Sequence, residues 1–160
     1  MANQNGDIPT TDPRSPELTE AYALLSSADR SELGPEDLER LADAAFWLGR
    51  MDEAIAVRHR AYAGYSAAGR APEAAAIAVR LCFESFERGD AAVGMGWMMR
   101  ADRDLSEEPS CVQHGFLALC QAFVAHGGGD DAAAIIQAER ATEIGQRFAC
   151  LLYTSDAADE

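Results

Sequence analysis

Cys111, His114, Cys120 and His126 are the residues of this chain whose types and spacing come closest to chemistry. All four fall within one predicted helix, and thiol with imidazole is the donor set of a tetrahedral zinc site. Their spacing argues against one. At about 100° per residue, Cys111 and Cys120 point about 180° apart and cannot share an ion. A second candidate is Gly127-Gly128-Gly129-Asp130, a glycine run before a helix start, where anions can bind. The strand and the lysine of a phosphate loop are missing and Asp130 would repel phosphate, so a turn between helices is the expected role. No serine, histidine and acid are grouped in a recognisable motif, which leaves nucleophilic catalysis without support. Carboxylates are numerous but scattered, and solvated faces are their expected place. The chain is thus expected to bind rather than catalyse, with no metal and no cofactor.

The elements that carry these residues are punctuated by glycine and proline. Ser15-Pro16-Glu17 reads as a helix start, and helix one runs to about Ala28. Gly34-Pro35-Glu36-Asp37 opens a second helix to Leu48, closed by Gly49 as a left-handed cap. A third runs from Asp52 to about Ala68, before Gly69. The fourth runs from Pro72-Glu73 to Arg88, before Gly89, and the fifth from Asp90 to about Leu105. Helix six covers Cys111 to His126, and Asp130 caps a seventh to about Phe148. Nothing alternates with period two for long enough to be a strand. The expected fold is all-α, about seven helices in antiparallel pairs.

The same glycines repeat. Gly49, Gly89 and Gly129 are spaced at forty and forty, and Ala42/Cys82/Ala122, Ala54/Gly94/Ala134 and Ala61/Ala101/Ala141 keep the same offset. A fixed period with small residues in phase marks a stacked array of supersecondary units. Small residues let helix axes approach to the usual 8–10 Å. Leu41/Leu81 and Ile55/Met95/Ile135 supply the expected apolar bulk between them. Ala21-Tyr22-Ala23 mirrors Ala61-Tyr62-Ala63, so helix one reads as the second half of a degenerate leading unit. The units are expected at about 35–69, 72–105 and 111–148, within a repeat domain of residues 16–149.

Charge narrows the partners. The chain has 27 acidic against 13 basic residues, a formal net charge of −14. Phosphate backbones and anionic membranes attract the opposite sign, so direct nucleic-acid or membrane contact is not expected. Every basic residue is arginine, which with the abundant alanine points to a GC-rich bacterial genome. No signal peptide or run of eighteen apolar residues is present, and four cysteines without a CxxC pair read as buried thiols of a cytoplasmic protein. Residues 1–15, polar and rich in proline and turn formers, are expected to be disordered. The last eleven residues, CLLYTSDAADE, resemble a translated sequencing-library adapter, which would make residues 150–160 a non-native tail.

The repeat resembles the tetratricopeptide repeat (TPR). Leu41-Ala42, Ala45, Gly49, Ala54 and Ala61 follow its pattern, as do Leu81-Cys82, Ser85, Gly89, Gly94 and Ala101. The third unit keeps Ala122, Ala125, Gly129, Ala134 and Ala141 but has Gln121 for the leucine. The period is longer than the thirty-four residues of that family, and its terminal proline is missing. More narrowly, Asp37 to Tyr65 and Glu87 to Leu105 are similar to helical repeats of large actinobacterial-type signalling proteins. The resemblance implies a TPR-like α-solenoid, a regulatory segment for protein–protein or intramolecular helical contact. Its effector would be absent: a LuxR-type helix-turn-helix in a transcriptional regulator, or else a class III nucleotide cyclase domain; a free-standing scaffold is the further alternative. By the same analogy the groove is lined by Glu39, Asp43, Phe46 and Trp47, then Val79, Phe83, Phe86 and Glu87, then Phe116, Leu119 and Phe123. Glu39 and Asp43 have the wrong sign to clamp a carboxylate. The aromatics Phe46, Trp47, Phe83, Phe86, Phe116 and Phe123 are the candidate contacts for a partner helix, unless the phenylalanines are simply core.

Overall fold

A computed structural model describes residues 15–28 and 32–149; the expectations for residues 1–14 and for the adapter-like tail fall outside them. The described residues form seven α-helices and no strand: α1 Ser15–Ser27, α2 Pro35–Trp47, α3 Met51–Ala67, α4 Ala71–Glu87, α5 Ala91–Leu105, α6 Val112–Gly127 and α7 Asp131–Arg147. The starts of α1, α2 and α4 lie within one residue of a proline, and every end that meets Gly49, Gly69, Gly89 or Gly129 lies two residues from it. None of them is long and apolar enough to cross a membrane.

The turns explain that agreement. Gly49, Gly69, Gly89 and Gly129 all have positive φ, between 69° and 81°. At each, the next residue's N–H reaches back to a carbonyl five positions earlier: Arg50 to Ala45 at 2.8 Å, Arg70 to Tyr65 at 3.0 Å, Asp90 to Ser85 at 2.8 Å and Asp130 to Ala125 at 2.9 Å. This double closure satisfies carbonyls that a helix end leaves free, and it needs a left-handed residue that glycine alone adopts without cost. At Gly89 a side chain would meet nothing within 4 Å, so backbone conformation rather than space selects the glycine. Asp130 completes the last turn, its side chain accepting from the Ala133 N–H at 3.0 Å.

Three-residue turns fold the helices back on themselves, and α2 packs on α3, α4 on α5 and α6 on α7. Successive pairs meet through α3 on α4, α5 on α6 and α4 on α6, while α1 packs on α2. The in-phase small residues sit where helices touch: Ala42, Ala45, Ala54, Ala61, Cys82 and Ala101 are wholly buried. Around them Leu41, Val57, Tyr65, Ile77, Leu81, Trp97, Leu105 and Leu117 form one continuous core. Two sequence expectations need correction. Ile55 packs against the core, but Met95 and Ile135, its echoes, are 36 % and 59 % exposed, because fewer of the described residues cover them. Glu84 is not on a solvated face; it is buried opposite Arg58.

Candidate functional site

Three of the six candidate aromatics come together. Phe83 and Phe86 on α4 face Phe123 on α6, and with Ala91, Met95, Val124 and Gly127 they line an apolar cavity of about 440 Å³. Phe83 and Phe123 meet edge to face at 5.8 Å. The other three lie apart. Phe46 and Trp47 form their own edge-to-face pair at 5.4 Å, with the Arg58 guanidinium 5.2 Å from the centre of the Phe46 ring. Trp47 is 65 % exposed. Phe116 packs half-buried against the core.

Phe123 also borders a second, larger trough of about 540 Å³ between α6 and α7. Leu119, Ala122 and His126 line it from α6, and Asp131, Ala134, Ile135 and Ala138 from α7. Of the α6 residues, Leu119 and Phe123 were on the sequence-derived groove; the α7 side was not. The readable signal is the forty-residue echo itself, since each unit covers the one before it and no described residue covers this face of the third.

The groove carboxylates are already in use. Glu39 accepts the Tyr65 hydroxyl at 2.6 Å, and Asp43 accepts Arg58 at 2.9 Å and Arg80 at 2.5 Å. Arg58 also pairs with Glu84, so that one guanidinium ties α2, α3 and α4 together. Burial lowers the Arg58 pKa first, and its hydrogen bond to Asp43 works against that. Arg58 Nε and Glu84 Oε2 have no partner of their own. Sequence reasoning missed this cluster, although Arg58 lies in the stripe Ala54, Val57, Ala61, Tyr65 that α3 buries. Tyr65 is pushed well above its usual value, by burial and then by Glu39.

A polar group lies along α3 and α5. Trp97 takes His59 and Tyr62 edge-on at 5.0 and 5.1 Å, and Arg100 stacks 4.7 Å from its ring centre. Burial, followed by the Arg100 charge, lowers the His59 pKa below 6.5. Tyr62 donates to Asp104 at 2.9 Å.

Of the four residues whose types suit zinc, only Cys111 and His114 lie together; Cys120 and His126 have other partners. The Cys111 N–H donates to His114 Nδ1 at 3.3 Å, closing the start of α6. Cys120 is buried in hydrogen-bonding reach of Cys82, and that bond and burial push its thiol up. His126 Nδ1 lies 2.8 Å from Asp131 Oδ1. Among the described residues, no three His, Cys, Asp or Glu side chains are grouped to hold a metal ion. The chemistry on offer is apolar contact edged by carboxylates. No family model, no curated protein and no solved structure matches the chain.

Proposed function

We propose that this chain is a TPR-like α-solenoid segment of a bacterial LuxR-type transcriptional regulator, working in the cytoplasm through protein–protein or intramolecular helical contact. The forty-residue echo supports the repeat reading, since the same glycine turn recurs in phase and Ala42/Cys82/Ala122 and Ala61/Ala101/Ala141 are buried in every unit. The observation that carries the binding role is the apolar surface around Phe123, open on both sides of one aromatic ring. Apolar surface of this kind on a folded protein marks a contact site. On this reading the segment binds and does not catalyse, and control passes from the groove to an effector elsewhere in the regulator.

The reading frame of the gene beyond the codon for Ala149 tests the regulator assignment. A basic helix-turn-helix in frame is the expected result. A metal-binding cyclase domain or an immediate stop codon would assign the repeats to a different kind of protein.

A further inference from the structure

We propose that the trough between α6 and α7 receives a basic amphipathic helix from another polypeptide. This rests on the protein-contact reading above and gives the partner its chemistry.

The shape argument comes from the repeat itself. The trough residues have counterparts forty and eighty positions earlier, and those counterparts show what such a trough holds. In the first pair, Asp43 and Arg58 lie against α4, which places Arg80 on Asp43 and Glu84 on Arg58. In the second pair, the counterpart Phe83 lies beneath α6, which sets Phe123 against it. A helix lies against the site both times, and in the second it leaves the apolar cavity beside Phe86 and Met95 open. In the third pair no described residue covers it: Phe123 is 62 % and Ile135 59 % exposed. A trough against which a helix packs in both earlier pairs is shaped for one, with apolar anchors at i, i+3, i+4 and i+7.

The charge argument selects the partner. Asp131 lines the trough, and Glu139 and Glu143 line the shallow continuation beside Ile135. A second copy of the chain, at −14, would set acid against acid, and the last eleven residues carry three acids and no base. The trough of the first pair shows the matching solution. α4 and the turns on either side of it meet the acids of the first pair with arginines, Arg70 on Glu36, Arg80 on Asp43 and Arg88 on Asp52. A helix with an apolar stripe flanked by arginine or lysine satisfies both the trough and its rim.

The test uses the full 160-residue chain and three labelled synthetic peptides, read by fluorescence anisotropy. One carries a leucine stripe at i, i+3, i+4 and i+7 with lysine and arginine flanks. The second keeps the stripe with glutamate flanks, and the third scrambles the basic sequence. The basic amphipathic peptide is expected to bind saturably, at least about tenfold more tightly than either control, and less tightly as salt rises. Phe123→Ser with Ile135→Ser should weaken it about tenfold; both side chains are mostly exposed, so helicity by circular dichroism should be unchanged. Met99→Ser, on an exposed position of α5, should leave it as it was. Equal affinity for the three peptides, or no effect of the Phe123 and Ile135 substitutions, overturns the proposal. So does self-association that the same substitutions abolish, or much tighter binding by a chain ending at Ala149, which would make residues 150–160 the occupant. If no peptide binds yet the frame encodes a helix-turn-helix, the docking assignment falls and the regulator reading stands.

Discussion

Phe123 meets Phe83 edge to face, ring centres 5.8 Å apart and planes at 89°, and the two residues occupy the same place in successive forty-residue units. One position therefore serves as both sides of the contact between units. Phe83 presents a ring to the unit that follows it, and Phe123 supplies the covering ring while turning its other side to solvent.

That asymmetry sets the cost of removing each ring. Phe83→Ala should lose about 2 kcal/mol, because its ring is half-buried under α6, and Phe123→Ala less than about 1 kcal/mol. A double-mutant cycle by urea denaturation should give a coupling of about 1 kcal/mol for the edge-to-face pair. Strict additivity would mean that the rings touch without stabilising the fold.

The α6–α7 crossing depends on one missing methyl group. A Cβ on Gly115 would stand 3.1 Å from Ile144 Cγ2, and Ile144 is a stiff, β-branched residue only 7 % exposed. Gly115→Ala would gain about 1 kcal/mol of helix propensity. Overpacking against Ile144 costs about 1–3 kcal/mol and should win, leaving the variant less stable. With Ile144→Ala already in place the obstruction is gone, and the same glycine change should become neutral or stabilising. A thermal melt of the four proteins reads the change of sign.

The Arg58–Glu84 pair gives a different pattern. Glu84→Leu leaves a guanidinium buried with Asp43 as its remaining ion-pair partner, at a cost of about 3 kcal/mol or more. Arg58→Met combined with Glu84→Leu removes both buried charges and both unpartnered atoms, and should lie within about 1 kcal/mol of the parent. Urea midpoints for the single and double variants check it. A double variant as unstable as Glu84→Leu would show that the guanidinium is needed for its stacking on Phe46.

Helix ends were readable because local chemistry decides them. Gly49, Gly89 and Gly129 are followed by reach-back hydrogen bonds whose geometry needs no knowledge of the rest of the fold. Burial was readable only in part. Ala42 and Cys82 are small wherever two axes cross, but Arg58 and Glu84 defy the usual place of charge, and nothing within either helix names the other as its partner. The groove shows the same limit. Phe83 and Phe123 share one register and the structure joins them, while Asp43 stands in that place in the first unit and leaves Phe46, three residues on, apart from them. Ile55 and Ile135 are the same residue type with opposite exposure, because burial here depends on the neighbouring unit and not on the residue.

His59 should give the fold a pH dependence on the acid side of neutrality. Burial first, and then Arg100, hold its folded pKa below the 6.5 of an unfolded chain. Between those two values the unfolded chain carries the extra proton, so stability must rise with pH across that window. The native protein should therefore weaken as pH falls from about 7, and this loss should level off once pH passes below the folded value. His59→Gln removes the titration and should flatten that part of the curve. Other groups do not obscure the comparison. Glu36, held down by backbone hydrogen bonding and then Arg70, and Glu73, held down by Arg70, lose their contribution only below about pH 4.5. The easing of the chain's large negative charge on acidification acts equally on parent and variant. Urea unfolding of both proteins at pH 7, 6 and 5 isolates the difference. Parallel curves would mean that His59 takes up its proton as readily in the fold as outside it.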